Sequence, residues 1–348
     1  MNKQDIIDFE NHYESQRKCR CGVAWKPSVK QYTLNGLEES LKMEDKLKTG
    51  KWKNGRPKPI TITYPKKREG LSIPFRDRVY QRNINDNALY PMMTRSFIYD
   101  NAACQKGKGP DFARERMKKF LRRYYHSHGS EGYILQIDIK GYYPNMNHDA
   151  VNKKFAKHLP EDIWQMATDV LNTQYRGEAG YNPGSQMVQI AGISLLDGPD
   201  HFIKEKLREK YYIRYMDDMA ILNSSQERLK EDLKAIQEEL AKLGFMTHPA
   251  KTRIIPLSKG FLFLGFNYRI TSTGKVIMTL NGQNIKHERR KLKKMVGRAR
   301  RGLMTRKKVD NCFESWKTHA SKGNSYKLLQ RMDDYYNTLW RVENAKDN

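Results

Sequence analysis

Apolar and polar positions alternate in a few contrasting ways along the chain, and each way predicts a different element. Tyr133-Ile-Leu-Gln-Ile-Asp-Ile139 is a nearly continuous apolar run of strand length, which predicts a buried central strand. Ile213 to Leu222 holds two short apolar runs around Asp217-Asp218, which predicts a β-hairpin with an acidic pair at its turn. Residues 57–75 predict a second hairpin: Pro59 to Tyr64 is β-rich, Pro65-Lys-Lys-Arg-Glu-Gly70 is a basic turn, and Leu71-Ser-Ile-Pro74 returns. Lys66, Lys67 and Arg68 would project from its tip. Phe261 to Phe266 reads as a tight apolar turn between strands.

The period of 3.6 dominates elsewhere. Leu34, Leu37, Leu41 and Leu47 lie close to one face of a helix that Gly50 can end, after a break at Trp25-Lys26-Pro27. Asp77 to about Tyr90 is helical in pattern, with Arg76, Arg78 and Arg82 on it. A glycine-lysine loop at 105–110 precedes a helix at 111–126, and His126 and His128 fall at the loop end beyond it. Further helices are predicted from Asn145 to Asp149 onward, at 161–174 and, as one long helix, from 187 to about 208. Leu229, Leu233, Ile236, Leu240 and Leu243 mark another, ended by Gly244. From Asn284 the pattern changes again. Ile285, Leu292, Val296, Ala299 and Leu303 mark one face, while Lys286, Arg289, Arg290, Lys293 and Arg298 lie among the cations of the other. Two helices follow, around 307–321 and 325–341, with Trp316, Tyr336 and Trp340 among the core candidates. Residues 281–348 therefore read as a small helical domain with a basic surface, and a nucleic-acid groove is the better reading of that surface than a merely solvated face.

Composition adds a partner. The 348 residues carry 65 Lys plus Arg against 39 Asp plus Glu, a formal charge of +26, which predicts a polyanion and, most commonly, nucleic acid. At 38% hydrophobic, with 20 Tyr and 12 Phe, the chain has the means to fold as a globule. Cys19, Cys21, Cys104 and Cys312 fit neither a zinc site nor a disulfide framework. No apolar run approaches the ~18 residues of a membrane span, so the expectation is a cytoplasmic protein with no membrane partner.

Against that positive background the carboxylates stand out. Asp138 is a charge near the end of a core strand, costly unless a cation such as Lys140 or a metal ion meets it. If that strand neighbours the Asp217-Asp218 hairpin in one antiparallel sheet, three carboxylates cluster and repel unless cations sit between them. Mg2+ takes oxygen ligands and keeps substrate phosphates in its shell. Two such ions ~4 Å apart can clamp an in-line phosphoryl displacement.

Order and spacing then carry a resemblance. Tyr215-Met-Asp-Asp218 is similar to the most diagnostic motif of the reverse transcriptases, and Asp138-Ile-Lys-Gly-Tyr-Tyr143 resembles their first carboxylate motif. Pro183-Gly-Ser-Gln-Met-Val-Gln189 resembles their template- and nucleotide-positioning motif. His248-Pro-Ala-Lys251-Thr resembles the motif that supplies a lysine, Phe261 to Phe266 the primer grip, and the basic hairpin the fingers tip. The resemblance covers roughly 57–280. It implies an α+β right-hand polymerase with fingers, an antiparallel-sheet palm and a C-terminal helical thumb. The division is 1–56 as an N-terminal helical extension, 57–280 as fingers and palm, and 281–348 as a basic helical thumb.

What the resemblance implies for the site follows motif by motif. Asp138, Asp217 and Asp218 would be catalytic and hold two Mg2+ ions, or Mn2+ in their place, with the backbone carbonyl of Ile139 as a further ligand. Lys251 would stand near the leaving pyrophosphate as a general acid. Tyr143 matches the steric gate that favours deoxynucleotides, while Lys67, Arg68 and Arg76 would hold the triphosphate. Glu69-Gly70 alters the family's usual spacing there. Gly184 and Gln189 would touch nucleotide and template. Lys286, Arg289, Arg290, Lys293 and Arg298 would contact nucleic acid. Pro183 and Gln189 depart from viral and group II intron enzymes. With Asn101 to Pro110 and Asp200-His-Phe-Ile-Lys-Glu205, they look more like bacterial stand-alone enzymes of the defence-associated or diversity-generating-retroelement groups. The implied function is RNA-directed DNA synthesis from dNTPs on a noncoding RNA that serves as template and scaffold, with a primer or DNA product bound. A role in anti-phage defence is favoured narrowly over a retroelement role. A catalytically inactive RNA-binding scaffold and an RNA-synthesising polymerase stay open as alternatives. The residues select neither primer nor oligomeric state.

Overall fold

The structure is a computed structural model that describes residues 2–63, 67–182 and 184–341. In chain order it runs α1 (Lys3–Ile7), α2 (Phe9–Cys19), α3 (Pro27–Leu34), α4 (Gly36–Lys48), β1 (Lys58–Ile62), β2 (Arg68–Ser72), α5 (Phe75–Ile84), α6 (Tyr90–Met93) and α7 (Pro110–His128). Then come β3 (Tyr133–Asp138), α8 (His148–His158), α9 (Glu161–Asn172), α10 (Gln186–Leu195), α11 (Asp197–His201), β4 (Tyr211–Tyr215), β5 (Asp218–Asn223) and α12 (Gln226–Ala241). The chain closes with β6 (Arg253–Pro256), β7 (Phe261–Phe263), β8 (Phe266–Ile270), β9 (Val276–Leu280), α13 (Gly282–Arg300), α14 (Arg306–Ala320) and α15 (Tyr326–Arg341). The strands form three sheets, β1-β2, β4-β5-β3-β6 and β7-β8-β9, so the predicted central strand lies inside its sheet, next to the acidic hairpin. The chain divides into two compact units. One comprises 1–113, 136–221 and 227–253; the other comprises 114–135, 222–226 and 254–348.

In the first unit the amino-terminal helices pack differently from the leucine pattern. The expected single helix breaks at Asn35, and Leu34, Leu37 and Leu41 point to solvent. The buried face of α4 is instead Gly36, Ser40 and Met43. The cause is close approach: a Cβ on Gly36 would fall 2.3 Å from the Gln16 side chain of α2. Small residues at i and i+4 let two helices come together, and that contact outweighs the ~1.5–3 kcal/mol each leucine would gain by burial. Gly50 does end α4, in the left-handed conformation at φ +66.

The basic hairpin forms with the register Lys58↔Ser72 to Ile62↔Arg68. Its tip, including Lys66, lies outside the described residues, as does the Arg68 side chain. The stretch after α5 is a wide π turn, Asn85–Leu89. The long helix expected from 187 to 208 is three pieces, α10, α11 and a π turn at Phe202–Lys206. α10 is buried almost throughout, and its Gly192 and Ile193 carbonyls accept from the Tyr142 hydroxyl and from Arg214 Nη2.

The second unit holds the antiparallel β7-β8-β9 sheet and α13 to α15. Leu264 and Gly265 both take positive φ, 43 and 85, the twist that a two-residue hairpin needs. Asn324 ties the last strand to the helices, its N–H donating to Met278 O and its side-chain oxygen accepting from Met278 N. α13 buries Leu292 and Val296 and turns its cations outward, whereas Leu303 lies past its end and is exposed. His126 and His128 belong to the last turn of α7 rather than to a loop, and His128 stacks on Tyr124.

Candidate active site

The acidic pair sits where the two-residue connection between β4 and β5 forces a reversal. Met216 takes the left-handed region at φ +57, unusual for a side-chain-bearing residue, and the two aspartates follow it directly. Beneath the turn lies Arg214, fully buried. Its Nε and Nη2 donate to the Asp200 carboxylate, its Nη2 also to Ile193 O, and its Nη1 to Met216 O at 3.0 Å. Its backbone is clamped from the other side, N–H to Asp100 O and carbonyl to Ala102 N. The turn is therefore held by a guanidinium bonded to its own carbonyl.

Asp138 approaches from β3. The Lys140 N–H donates to Met246 O and the His248 N–H to Asp138 O at 2.7 Å, flanking an antiparallel bridge between Ile139 and Thr247. In that pattern the amide and carbonyl of Ile139 face the opposite edge, the side on which β5 lies. The partner of Asp138 is Lys251 rather than Lys140. Lys251 Nζ lies 2.9 and 3.1 Å from the two carboxylate oxygens.

The three acids feel one another. Loss of solvation raises Asp217 above the usual carboxylate range, and the Asp138 charge adds to this against the pull of Lys251 and Arg214. Asp218 is pushed up to about 6, first by crowding of protein around it and then by Asp217 and Asp138. Its side chain is nonetheless exposed by surface area, so water offsets part of that penalty. Among the described residues no three carboxylate, His or Cys side chains stand close enough to hold an ion as placed. The donor chemistry still fits Mg2+: hard oxygens only, an anionic surplus that raises its own protonation, and the Ile139 carbonyl facing the same edge.

Around the acids lie the other predicted residues. Tyr143 is half-buried; burial raises its hydroxyl well above the usual phenol range, and Cys104 and Asp217 add to the effect. Its neighbour Tyr142 donates to Gly192 O, and a Cβ on Gly192 would meet both tyrosine rings within 3.6 Å, so α10 fixes the height of Tyr143. Gln189 on α10 accepts a long contact from the Cys104 thiol at 3.9 Å, and that thiol also lies 3.6 Å from Met216 Sδ. Gly184 takes φ +131 with no atom within 4 Å of an added Cβ, leaving its backbone open to a ligand. Lys67 is exposed on the hairpin. Arg76 is otherwise engaged: it donates to Lys53 O and Asp77, and its guanidinium lies over the Trp52 ring. In the second unit, Lys286, Arg289, Arg290, Lys293 and Arg298 are exposed on α13, with Arg289 over the Tyr335 ring.

Two contributors escaped the sequence reading. Arg214 carried the same signal as Asp138, a charge inside an apolar strand. Cys104 carried none, because only its left-handed backbone at φ 53 brings it to Met216.

Comparison with known proteins gives the same family. The sequence profile described as "Reverse transcriptase (RNA-dependent DNA polymerase)" matches residues 65–268. No curated protein matches the sequence. Among solved structures, apo telomerase from Candida tropicalis aligns at 13% identity and TM-score 0.49, over 65% of this chain and 48% of that one. Telomerase from Candida albicans with the TWJ fragment of telomeric RNA aligns at 13% identity and TM-score 0.46, over 70% and 48%. The chain thus spans about half the length of those telomerase chains.

Proposed function

This chain belongs to the reverse transcriptase family, and from that premise we propose that it is an RNA-directed DNA polymerase copying a noncoding RNA. The observation that carries the reading is geometric: Asp138, paired to Lys251 at 2.9 Å, ends β3, and β3 lies in the sheet beside β5, which the Asp217-Asp218 turn opens. In the reaction the primer 3′-hydroxyl loses its proton to solvent and its oxygen bonds to the α-phosphorus of a dNTP, as the bond to the β-phosphate oxygen breaks and pyrophosphate leaves. Asp138 and Asp217, with Asp218 and the Ile139 carbonyl, would hold divalent metal. Bound there, Mg2+ supplies activation of the 3′-hydroxyl and charge neutralisation of the leaving group. Lys251, an ammonium already at the carboxylates, gives a proton to the departing pyrophosphate. Tyr143 sets the floor under the sugar and disfavours a 2′-hydroxyl.

The motifs around Gly184, Asn101 and Asp200 support a bacterial stand-alone enzyme. We place it in anti-phage defence, with the diversity-generating-retroelement role as the second reading. The large positive charge supports an RNA that stays bound as scaffold. Purified full chain with Mg2+, dNTPs and primed RNA should make DNA, and Asp217→Ala with Asp218→Ala should abolish it. RNA binding without nucleotide incorporation would instead identify a scaffold that has lost the chemistry. Sequencing of co-purifying nucleic acid names the template.

A further inference from the structure

Three leucines of the amino-terminal helices stand largely in water. Leu34 is 86% exposed at the end of α3, and Leu37 and Leu41, one turn apart on α4, are 58% and 55% exposed. They lie on a different side of α4 from Gly36, Ser40 and Met43, which are buried. A single apolar side chain at a surface needs no explanation, but several within two turns mark a contact surface. Beside Leu34 the surface is hollow: a groove of about 300 Å3 is lined by Arg20, Ala24, Lys30, Thr33 and Leu34. The face therefore offers both knobs and a hole. It lies wholly before residue 65, where the family match begins.

Charge narrows the occupant. The whole chain carries 65 Lys plus Arg against 39 Asp plus Glu, yet α4 sets Glu38, Glu39, Glu44 and Asp45 against Lys42, Lys46 and Lys48. A polyanion finds no positive excess on this helix. Some of these charges close locally, Lys42 with Glu38 at 2.6 Å and Lys48 with Glu44 at 2.8 Å. Lys30 and Asp45 are exposed and make no ion pair among the described residues. Their places are matched. Lys30 stands one turn before Leu34, and Asp45 stands one turn after Leu41. A two-fold axis that runs α3 antiparallel to the partner's α4 lays Leu34 against the partner's Leu41. It then carries Lys30 to the partner subunit's Asp45, and it repeats both contacts in reverse, as a self-complementary face requires. Leu37, midway between Leu34 and Leu41 in the chain, falls nearest the axis. We propose that this face binds a second copy of the chain as a weak two-fold dimer, with Leu41 of the partner subunit in the groove beside Leu34. The contact needs neither the catalytic acids nor bound RNA.

The test is sedimentation velocity of the nuclease-treated full chain, from about 1 to about 200 µM. Mass should double reversibly with a Kd of about 1–100 µM, the weak end that so small an interface allows. Leu34→Ser with Leu41→Ser should weaken the dimer about a hundredfold or more. Its circular dichroism and melting temperature should match those of the monomeric wild type, because both side chains already face water. Lys30→Glu alone, or Asp45→Lys alone, should weaken the dimer about 3–10-fold, and Lys30→Glu with Asp45→Lys should restore the wild-type value. That rescue is specific to the two-fold register. A chain that stays monomeric at about 200 µM, or dimers that the leucine and charge variants leave untouched, overturns the proposal. Monomers that bind anionic lipid vesicles through the same leucines overturn it as well, in favour of a membrane surface. Because no nucleotide is added, dimers formed by a chain that makes no DNA would remove the polymerase reading and keep this contact.

Discussion

Arg214 and Asp200 form an ion pair from which solvent is wholly excluded, with Nη2 2.6 Å from Oδ2 and no exposed side-chain surface on either residue. A third group shares it: the Tyr212 hydroxyl donates to Asp200 at 2.6 Å. Such a pair is weak evidence for stability but strong evidence for placement, because further hydrogen bonds to Tyr212 and Ile193 hold the two partners in position. Arg214 Nη1 donates to Met216 O, inside the acidic turn. Asp200→Asn should cost about 3–5 kcal/mol in chemical denaturation by leaving the arginine unpaired. Arg214→Met with Asp200→Leu should recover much of that stability but not DNA synthesis, since nothing then holds the Met216 carbonyl. A double variant with full activity would separate the pair from the turn geometry.

The acids make a complementary prediction. Asp217→Asn with Asp218→Asn removes the desolvated charges, and with them the carboxylate repulsion that adds to the raised pKa of both groups, at nearly unchanged side-chain volume. The variant should melt at or above the wild-type temperature without metal, and it should lose synthesis by at least about a thousandfold. Millimolar Mg2+ should raise the melting temperature of the wild type through preferential binding to the folded state, and it should leave the variant unmoved. Equal Mg2+ stabilisation of both proteins would place the ions elsewhere.

Tyr143 is positioned by α10 through Gly192, not by its own loop alone. Tyr143→Ala opens room for a 2′-hydroxyl. The ratio of dNTP to rNTP incorporation should fall by about 10–200-fold, the usual reach of one steric contact in a pocket, with dNTP incorporation largely kept. An unchanged ratio would remove the gate from this residue.

The carboxylates were legible because charge inside an apolar run is costly and visible in one dimension. Asp138 and the hairpin turn could be paired by order alone, and the strand order β5-β3 follows. The amino-terminal helices were not legible, because leucines at i, i+3 and i+7 promised a core face that the Gly36–Gln16 approach displaced. Close approach of a side chain on one helix to a glycine on another leaves no trace in hydrophobic period. The π turns at Asn85–Leu89 and Phe202–Lys206 were hidden for the same reason: one extra residue per turn shifts the period without changing composition. Lys251 was expected at the pyrophosphate, and only the fold shows it on both oxygens of Asp138.

Two histidines predict opposite pH responses. His12 is wholly buried, accepts from Asn83 Nδ2 at Nδ1, and is held neutral by burial at about 4, despite Asp8 and Glu44 nearby. Between that value and the ordinary 6.5 the unfolded chain binds a proton that the folded chain refuses. Stability should therefore fall as pH drops through this window, by up to about 3 kcal/mol. His201 meets an acceptor at each ring nitrogen, Glu205 at 2.6 Å and Ser96 O at 2.7 Å, with Asp197 at 3.6 Å, and these contacts raise its pKa above the ordinary 6.5. Its contribution is complete below 6.5 and lost as pH rises through the folded value. Melting curves across pH 4.5–9 should show both limbs. His12→Gln should flatten only the acid limb and His201→Gln only the other. A single variant that flattens both would refute the separation.

The exposed cations of α13 make the last prediction. Lys286, Arg289, Arg290, Lys293 and Arg298 face water, and Arg289 is steadied over Tyr335, whose hydroxyl donates to the Arg289 carbonyl at 3.1 Å. Glu288 and Lys291 pair with each other on the same helix, and among the described residues these five cations make no ion pair. If this face tracks a phosphate backbone, each charge removed should lower the slope of log affinity against log salt by about 0.7–0.9, whatever the sequence bound. Arg290→Gln with Lys293→Gln should thus weaken duplex binding roughly tenfold near physiological salt and shift the melting temperature little, because both side chains are exposed. A loss confined to particular sequences, or none at all, would show that this face serves solvation and that duplex binding lies elsewhere in the protein.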